Sequence, residues 1–242
     1  MIGIRPRELR SIHHFVIIYE VLNRSISSPV MVAIWTIEQT DTQLFTDQAM
    51  TYCVAMRLNA GLVFLSDSRT NAGVDQVGTF RKMSVFENPG DRTMVLMTAG
   101  NLSISQSILQ VATEYLRPDG TSIWTASSMY DAAQIIGDSI RVVQMREAKS
   151  LERFGIDFNV SLIFGGQIRG ERCRLFQMYS AGNFIESLDE NPYFQIGEAK
   201  YGKPIIDRVI TPFTPLDEAA KCALISMDST LRSNISVGFP LD

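Results

Sequence analysis

Strand-forming and helix-forming segments come in blocks along this chain, and that order narrows the fold more than any other feature. After residue 50 the sequence reads as strands, two helices, strands again, and two more helices. Strands alternating one by one with helices would ask for a parallel sheet; grouped strands joined by short turns ask for antiparallel ones. The expected class is therefore α+β: a four-layer αββα sandwich of two antiparallel sheets, each flanked by a helix pair.

The local signals behind that order are ordinary ones. Residues Thr51–Arg57 alternate, Asn59-Ala60-Gly61 turns, and Leu62–Asp67 returns as the second arm of a hairpin. Further strands are expected at Gly78–Phe86 and Thr93–Thr98, on either side of the turn Asn88-Pro89-Gly90-Asp91. Helix takes over after Gly100, where Ile104, Ile108, Val111 and Tyr115 line one face. A second helix is expected over Ser127–Met145, with Met129, Ala133, Ile136, Ile140 and Val143 on its apolar stripe. Strands resume at Phe158–Phe164 and Cys173–Tyr179, joined by a loop holding Gly165, Gly166 and Gly170. That loop has no Walker lysine and is not read as a phosphate cradle. Ala199–Ile210 is weakly helical despite Pro204, and Leu216–Leu231 more strongly so, opened by Thr214-Pro215 and Asp217-Glu218.

Composition removes several chemistries. The 242 residues are 45% hydrophobic, enough for a full core, and the net charge of −4 with no basic block argues against nucleic acid as partner. Cys53, Cys173 and Cys222 are odd in number and widely spaced, and read as buried reduced thiols in a reducing, cytoplasmic setting. His13 and His14 are the only histidines. A Ser-His-Asp, Cys-His or HExxH site in the body is thereby excluded, and no metal or cofactor is expected. Acid–base chemistry must come from a lysine, a carboxylate or an N-terminal amine.

Residues 1–50 differ from the rest. The apolar runs Phe15–Ile18 and Val30–Trp35 are short, with Glu20 between them. Neither approaches the ~20 residues of a membrane span, so no membrane is expected as a partner. No small-residue cleavage site follows the first run, which argues against a secretory signal. A propeptide, an ordered extension, or upstream sequence ahead of the true start all remain as readings. The last is preferred, because Met50 precedes Thr51 and an initiator Met before a small residue is readily trimmed. Residues 1–50 are thus expected to stand outside the mature fold, and 51–242 to form one domain.

Trimming at Met50 would leave Thr51 with both a hydroxyl and a free α-amine, a nucleophile and its base on one residue. The amine titrates near ~8 and can accept a proton at physiological pH. Downstream stand Asp67 and Arg69 in LSDSRT, Lys82 in FRKM, and Thr98-Ala99-Gly100. Taken singly each has a plain alternative: a strand threonine, a turn-capping aspartate, a solvated edge lysine, a helix-start glycine. The ordered set is what carries meaning. From Thr51 onward it resembles the β-type subunits of the proteasome, which are N-terminal-nucleophile hydrolases, and among them the bacterial ancestral β-subunit group, Anbu, akin to the HslV peptidase.

That resemblance implies a catalytic set of Thr51, Asp67 and Lys82. Gly100 matches the oxyanion-hole N–H, Asn71 a substrate-backbone contact, Thr98 and Leu102 the pocket lining, with Phe80 a weaker pocket candidate. It also implies a homo-oligomeric ring or open helical ring, an unfolded polypeptide or peptide as substrate, and room for a separate ATP-dependent partner. Two departures stand out. Where the family carries Gly-Ser-Gly this chain has Gly197-Glu198-Ala199, so Glu198 replaces the serine that supports the threonine amine. A carboxylate there would either hold the ammonium form or point away. With Ser233 aligned as a supporting residue, the family's later aspartate falls on Thr230. The family also continues beyond Gly238-Phe239-Pro240-Leu241-Asp242 with further strand and helix, so a C-terminally truncated domain is expected. An amide hydrolase or acyl transferase on one small amide, and a non-catalytic structural subunit, are the alternative functions.

Overall fold

The computed structural model describes residues 51–71 and 77–242. The hairpin forms where expected: β1 (Tyr52–Leu58) turns at Asn59-Ala60 into β2 (Gly61–Ser66), with Leu58 paired to Gly61. Short β3 (Arg69–Asn71) and β4 (Val77–Thr79) pair with each other. After them come β5 (Met83–Asn88), β6 (Arg92–Gly100), α1 (Leu102–Glu114) and α2 (Met129–Arg153). The second half holds β7 (Val160–Ile168), β8 (Arg174–Met178), β9 (Phe184–Glu186), β10 (Tyr193–Gly197), α3 (Lys203–Val209) and α4 (Leu216–Ser233). The order β10-β1-β2 makes one antiparallel sheet and β5-β6-β7-β8-β9 another.

Among the described residues, three apolar clusters form the core. One joins α1 and α2 to β6, β7 and β8, with Ile108, Ile136, Leu96 and Phe164 fully buried. A second joins α3 and α4 to the other sheet through Tyr52, Val54, Met56, Ile206 and Met227. The third joins residues of both sheets, with Cys53, Ala55 and Phe194 in one cluster with Met97, Ile163 and Leu175. Successive β1 side chains therefore enter different cores. This is why Tyr52–Met56 is apolar throughout rather than alternating.

Helix boundaries follow their caps. Asn101 accepts from the Ser103 and Ile104 amides to open α1, and Ser128 accepts from the Asp131 amide to open α2. All five stripe residues expected on α2 are buried, but the helix runs on to Arg153 rather than stopping near Met145. Its last turns keep good helix formers, and Leu151 still packs against the core. On α1, Val111 and Tyr115 are only half-buried, with Ala112 taking the deep position.

Other expectations are corrected. Gly165 and Gly166 lie inside β7, not in a loop; a side chain at Gly166 would meet the Thr93 carbonyl at 2.3 Å, so the crowding between strands requires glycine there. The strand expected over Gly78–Phe86 is broken into β4 and β5, with Phe80, Arg81 and Lys82 in the gap. Cys173 is half-exposed rather than buried, although all three described cysteines are free thiols.

Beyond β2 the chain's own last residues run alongside Ser66–Ser68. Ser66 and Asp242 exchange amide hydrogen bonds of 2.9 and 3.0 Å, and Ser68 Oγ donates to the Pro240 carbonyl at 2.6 Å. Among the described residues no helix is long and apolar enough to cross a membrane.

Candidate active site

Thr51 sits immediately before β1 and is 6% exposed. Its carbonyl accepts the Glu198 amide at 2.7 Å, which continues the β1–β10 ladder one step past the Tyr52–Gly197 pair. Gly197 has φ +88°, and a Cβ there would fall 1.9 Å from the Thr51 carbonyl oxygen and 3.1 Å from Thr51 Cβ. Glycine is thus required for β10 to press directly on Thr51. Gly197→Ala is expected to destabilise the fold by about 1–3 kcal/mol and to move Thr51. Denaturant unfolding beside a peptide-hydrolysis assay checks this; unchanged stability would mean that β10 does not hold Thr51.

Asp67 follows β2 and is fully buried. Its Oδ1 accepts from Lys82 Nζ at 2.7 Å and from the Tyr52 amide at 2.9 Å. Its Oδ2 accepts from the Arg69 amide at 3.1 Å and the Gly238 amide at 3.3 Å. Burying an ion pair is favourable only when the remaining lone pairs are also satisfied, and here three backbone donors join the ammonium. The turn-capping role and the lysine-holding role are both filled by the one carboxylate.

Lys82 lies in the break between β4 and β5 and is 7% exposed, so it is no solvated edge lysine. Its carbonyl accepts the Thr98 amide at 3.0 Å, one step beyond the Met83–Met97 pair. The backbone of Lys82 therefore belongs to the five-stranded sheet, while its ammonium reaches the carboxylate at the end of β2. One Asp67 oxygen is shared by Lys82 and by the peptide N–H next to Thr51.

Cys53 is a further buried thiol near this charge pair. Burial pushes it far above the usual thiol range, with Lys82 lowering it and Asp67 raising it. Burial thus disfavours its thiolate, the form that acts as a nucleophile.

At the end of β6, Gly100 adopts φ +106°, where a Cβ would lie 2.4 Å from the Asn159 carbonyl. It is exposed and directly precedes the Asn101 cap of α1. Thr98 and Leu102 flank it, both half-buried. Asn71 ends β3, its backbone paired with Val77; Phe80 is 44% exposed, and its amide donates to the Ser68 carbonyl at 2.8 Å.

The supporting candidates divide. Arg69 gives its amide to Asp67 but turns its guanidinium away, Nη1 donating to the Ile235 carbonyl at 2.7 Å. Glu198 is buried, and its carboxylate accepts from the Lys200 amide and from Asn234 Nδ2, both at 2.8 Å. The contact of Glu198 with Thr51 runs through its backbone. Ser233 is exposed at the end of α4, and the next residue, Asn234, makes the reach to Glu198.

Two contributors escape the sequence reading. Strand β10 had a local signal, the apolar-polar alternation Tyr193–Ile196 after Pro192. The contact of Gly238 with Asp67 spans 171 positions, and nothing near either residue announces it.

Neither a family model nor a curated protein matches the chain. Solved structures do. Anbu (ancestral beta-subunit) from Yersinia bercovieri is 57% identical, with 79% of each chain covered and a TM-score of 0.73. An Anbu (Gly-1) mutant from Hyphomicrobium sp. strain MC1 is 50% identical over 79% of this chain and 80% of that one, TM-score 0.72. The helical assembly of the Anbu complex from Pseudomonas aeruginosa is 49% identical over 79% of both chains, TM-score 0.75. The fold is that of a proteasome-like N-terminal-nucleophile hydrolase. Within that class the chain belongs to the Anbu family.

Proposed function

We propose that the chain, once it begins at Thr51, is a threonine-type endopeptidase. The observation that carries the reading is the buried Asp67–Lys82 pair bonded to the backbone beside Thr51. In this mechanism the α-amine takes the Thr51 hydroxyl proton, directly or through water, as Oγ attacks a peptide carbonyl. Lys82 favours the deprotonated hydroxyl and amine through its positive charge, and Asp67 holds Lys82 in place. The developing oxyanion takes the Gly100 N–H, and Asn71, Thr98 and Leu102 hold the substrate. Collapse transfers the proton to the leaving amine and leaves a Thr51 ester, which water then hydrolyses.

The three clusters support a stacking of the sheets and helix pairs as αββα layers. Residues 1–50 belong outside the mature domain 51–242. The Pseudomonas relative is described as a helical assembly. A ring or open helical ring of this chain would enclose its sites and restrict substrates to unfolded polypeptides or peptides. Any ATP-driven unfolding belongs to a separate partner, in the cytoplasm.

The replacement of the family's serine by Glu198 favours a second reading, an amide hydrolase or acyl transferase on one dedicated small amide. A chain starting at Thr51, assayed on a broad peptide panel and a panel of small amides, separates the two. Turnover of several peptides is expected. Turnover confined to one small amide would replace the peptidase reading.

A further inference from the structure

We infer that Asn234 is a positioning residue that ties the two arms of the site to each other, an inference that rests on the proposed role of Thr51 and Asp67. Asn234 is the C-cap of α4, its amide donating to the Thr230 carbonyl at 2.8 Å, and is 8% exposed. Its Nδ2 donates to Glu198 Oε2 at 2.8 Å, and its Oδ1 accepts the Ser236 amide at 2.9 Å. Through the first bond it fixes the residue whose amide holds the Thr51 carbonyl at 2.7 Å. Through the second it shapes the turn that brings the Gly238 amide to Asp67 Oδ2 at 3.3 Å. Arg69 secures the same turn by donating to the Ile235 carbonyl at 2.7 Å. Nucleophile arm and lysine-holding arm therefore meet at one side-chain amide.

The orientation of that amide is determined. Oδ1 is committed to a backbone donor, so Nδ2 must face Glu198, and a carboxylate is the acceptor that suits it. Glu198 thus serves Thr51 through its backbone, with its charge turned toward Asn234. Its side chain therefore acts on Thr51 structurally, by fixing the backbone that bonds the Thr51 carbonyl.

Exchanging the groups tests this. Asn234→Asp sets two buried carboxylates against each other, and Glu198→Gln sets one amide donor against another. Glu198→Gln with Asn234→Asp restores one donor, one acceptor and the net charge. Two quantities are read: amide hydrogen exchange of residues 194–199 by mass spectrometry, and kcat and KM for a peptide that the wild type cleaves. Each single variant is expected to speed exchange of 194–199 at least tenfold and to lower kcat at least tenfold. KM should stay within twofold, because the proposed pocket residues Thr98 and Leu102 lie on β6 and α1. The double variant should recover both, and it also serves if a single variant does not fold. Wild-type exchange in Asn234→Asp, or no recovery in the double variant, overturns the inference. A wild type without turnover would sink the peptidase reading, while the exchange arm would still decide whether Asn234 holds the Glu198 amide.

Discussion

Thr51→Ala is expected to abolish hydrolysis by a chain starting at residue 51, by about 10³-fold or more, while leaving the fold intact. Every other proposed role acts through Thr51: its Oγ becomes the ester and its amine carries the proton. Alanine keeps the amine and the carbonyl bonded to Glu198, so the β1–β10 contact survives. Thr51→Ser keeps both reacting groups and should retain measurable turnover. Purified variants assayed with one fluorogenic peptide, with circular dichroism as a folding check, decide it. Undiminished hydrolysis by Thr51→Ala would remove the nucleophile from the account.

Breaking the Asp67–Lys82 pair is expected to cost both stability and activity. Lys82→Met leaves a fully buried carboxylate with amide donors but no countercharge, a loss of about 3–5 kcal/mol. Asp67→Asn fails differently. Each carboxylate oxygen accepts from two donors, and whichever way the new amide lies, its NH2 opposes one pair. Hydrolysis should fall about 10²–10⁴-fold in both. Removing both charges with Asp67→Asn and Lys82→Met together should be less destabilising than the two single losses added together, because no unpaired charge remains. Denaturant unfolding of the four proteins gives the coupling directly. Additive losses would mean that the pair is not the unit described here.

Much of this was legible before the structure. The hairpin leading from Thr51 to Asp67 is local, set by alternation and a turn, so the sequence alone places the carboxylate a hairpin away from the threonine. The α2 stripe and α4 were likewise readable, because helix periodicity and acidic first turns are short-range signals. Lys82 was identifiable by its order in the chain but not by its geometry. A continuous strand over Gly78–Phe86 fits β-propensity, and only the Asp67 pairing and the Thr98 ladder bond account for where β5 begins. Gly165 and Gly166 misled because glycine marks turns in a sequence, whereas here it marks strands that approach too closely for a Cβ. Glu198 was seen as a departure, but its partner Asn234 is 36 positions away. Its direction was decided by α4 packing against the sheet, which no local pattern encodes.

The central claim is that one residue, Thr51, supplies both nucleophile and base. A peptide epoxyketone tests it most directly, because its stable ring adduct needs a hydroxyl and a free amine on the same residue. Peptide mapping by mass spectrometry after treatment should find the adduct on the N-terminal peptide Thr51–Arg57 and nowhere else. A protein that begins at Thr51 and stays unmodified, or carries the adduct elsewhere, would contradict the account.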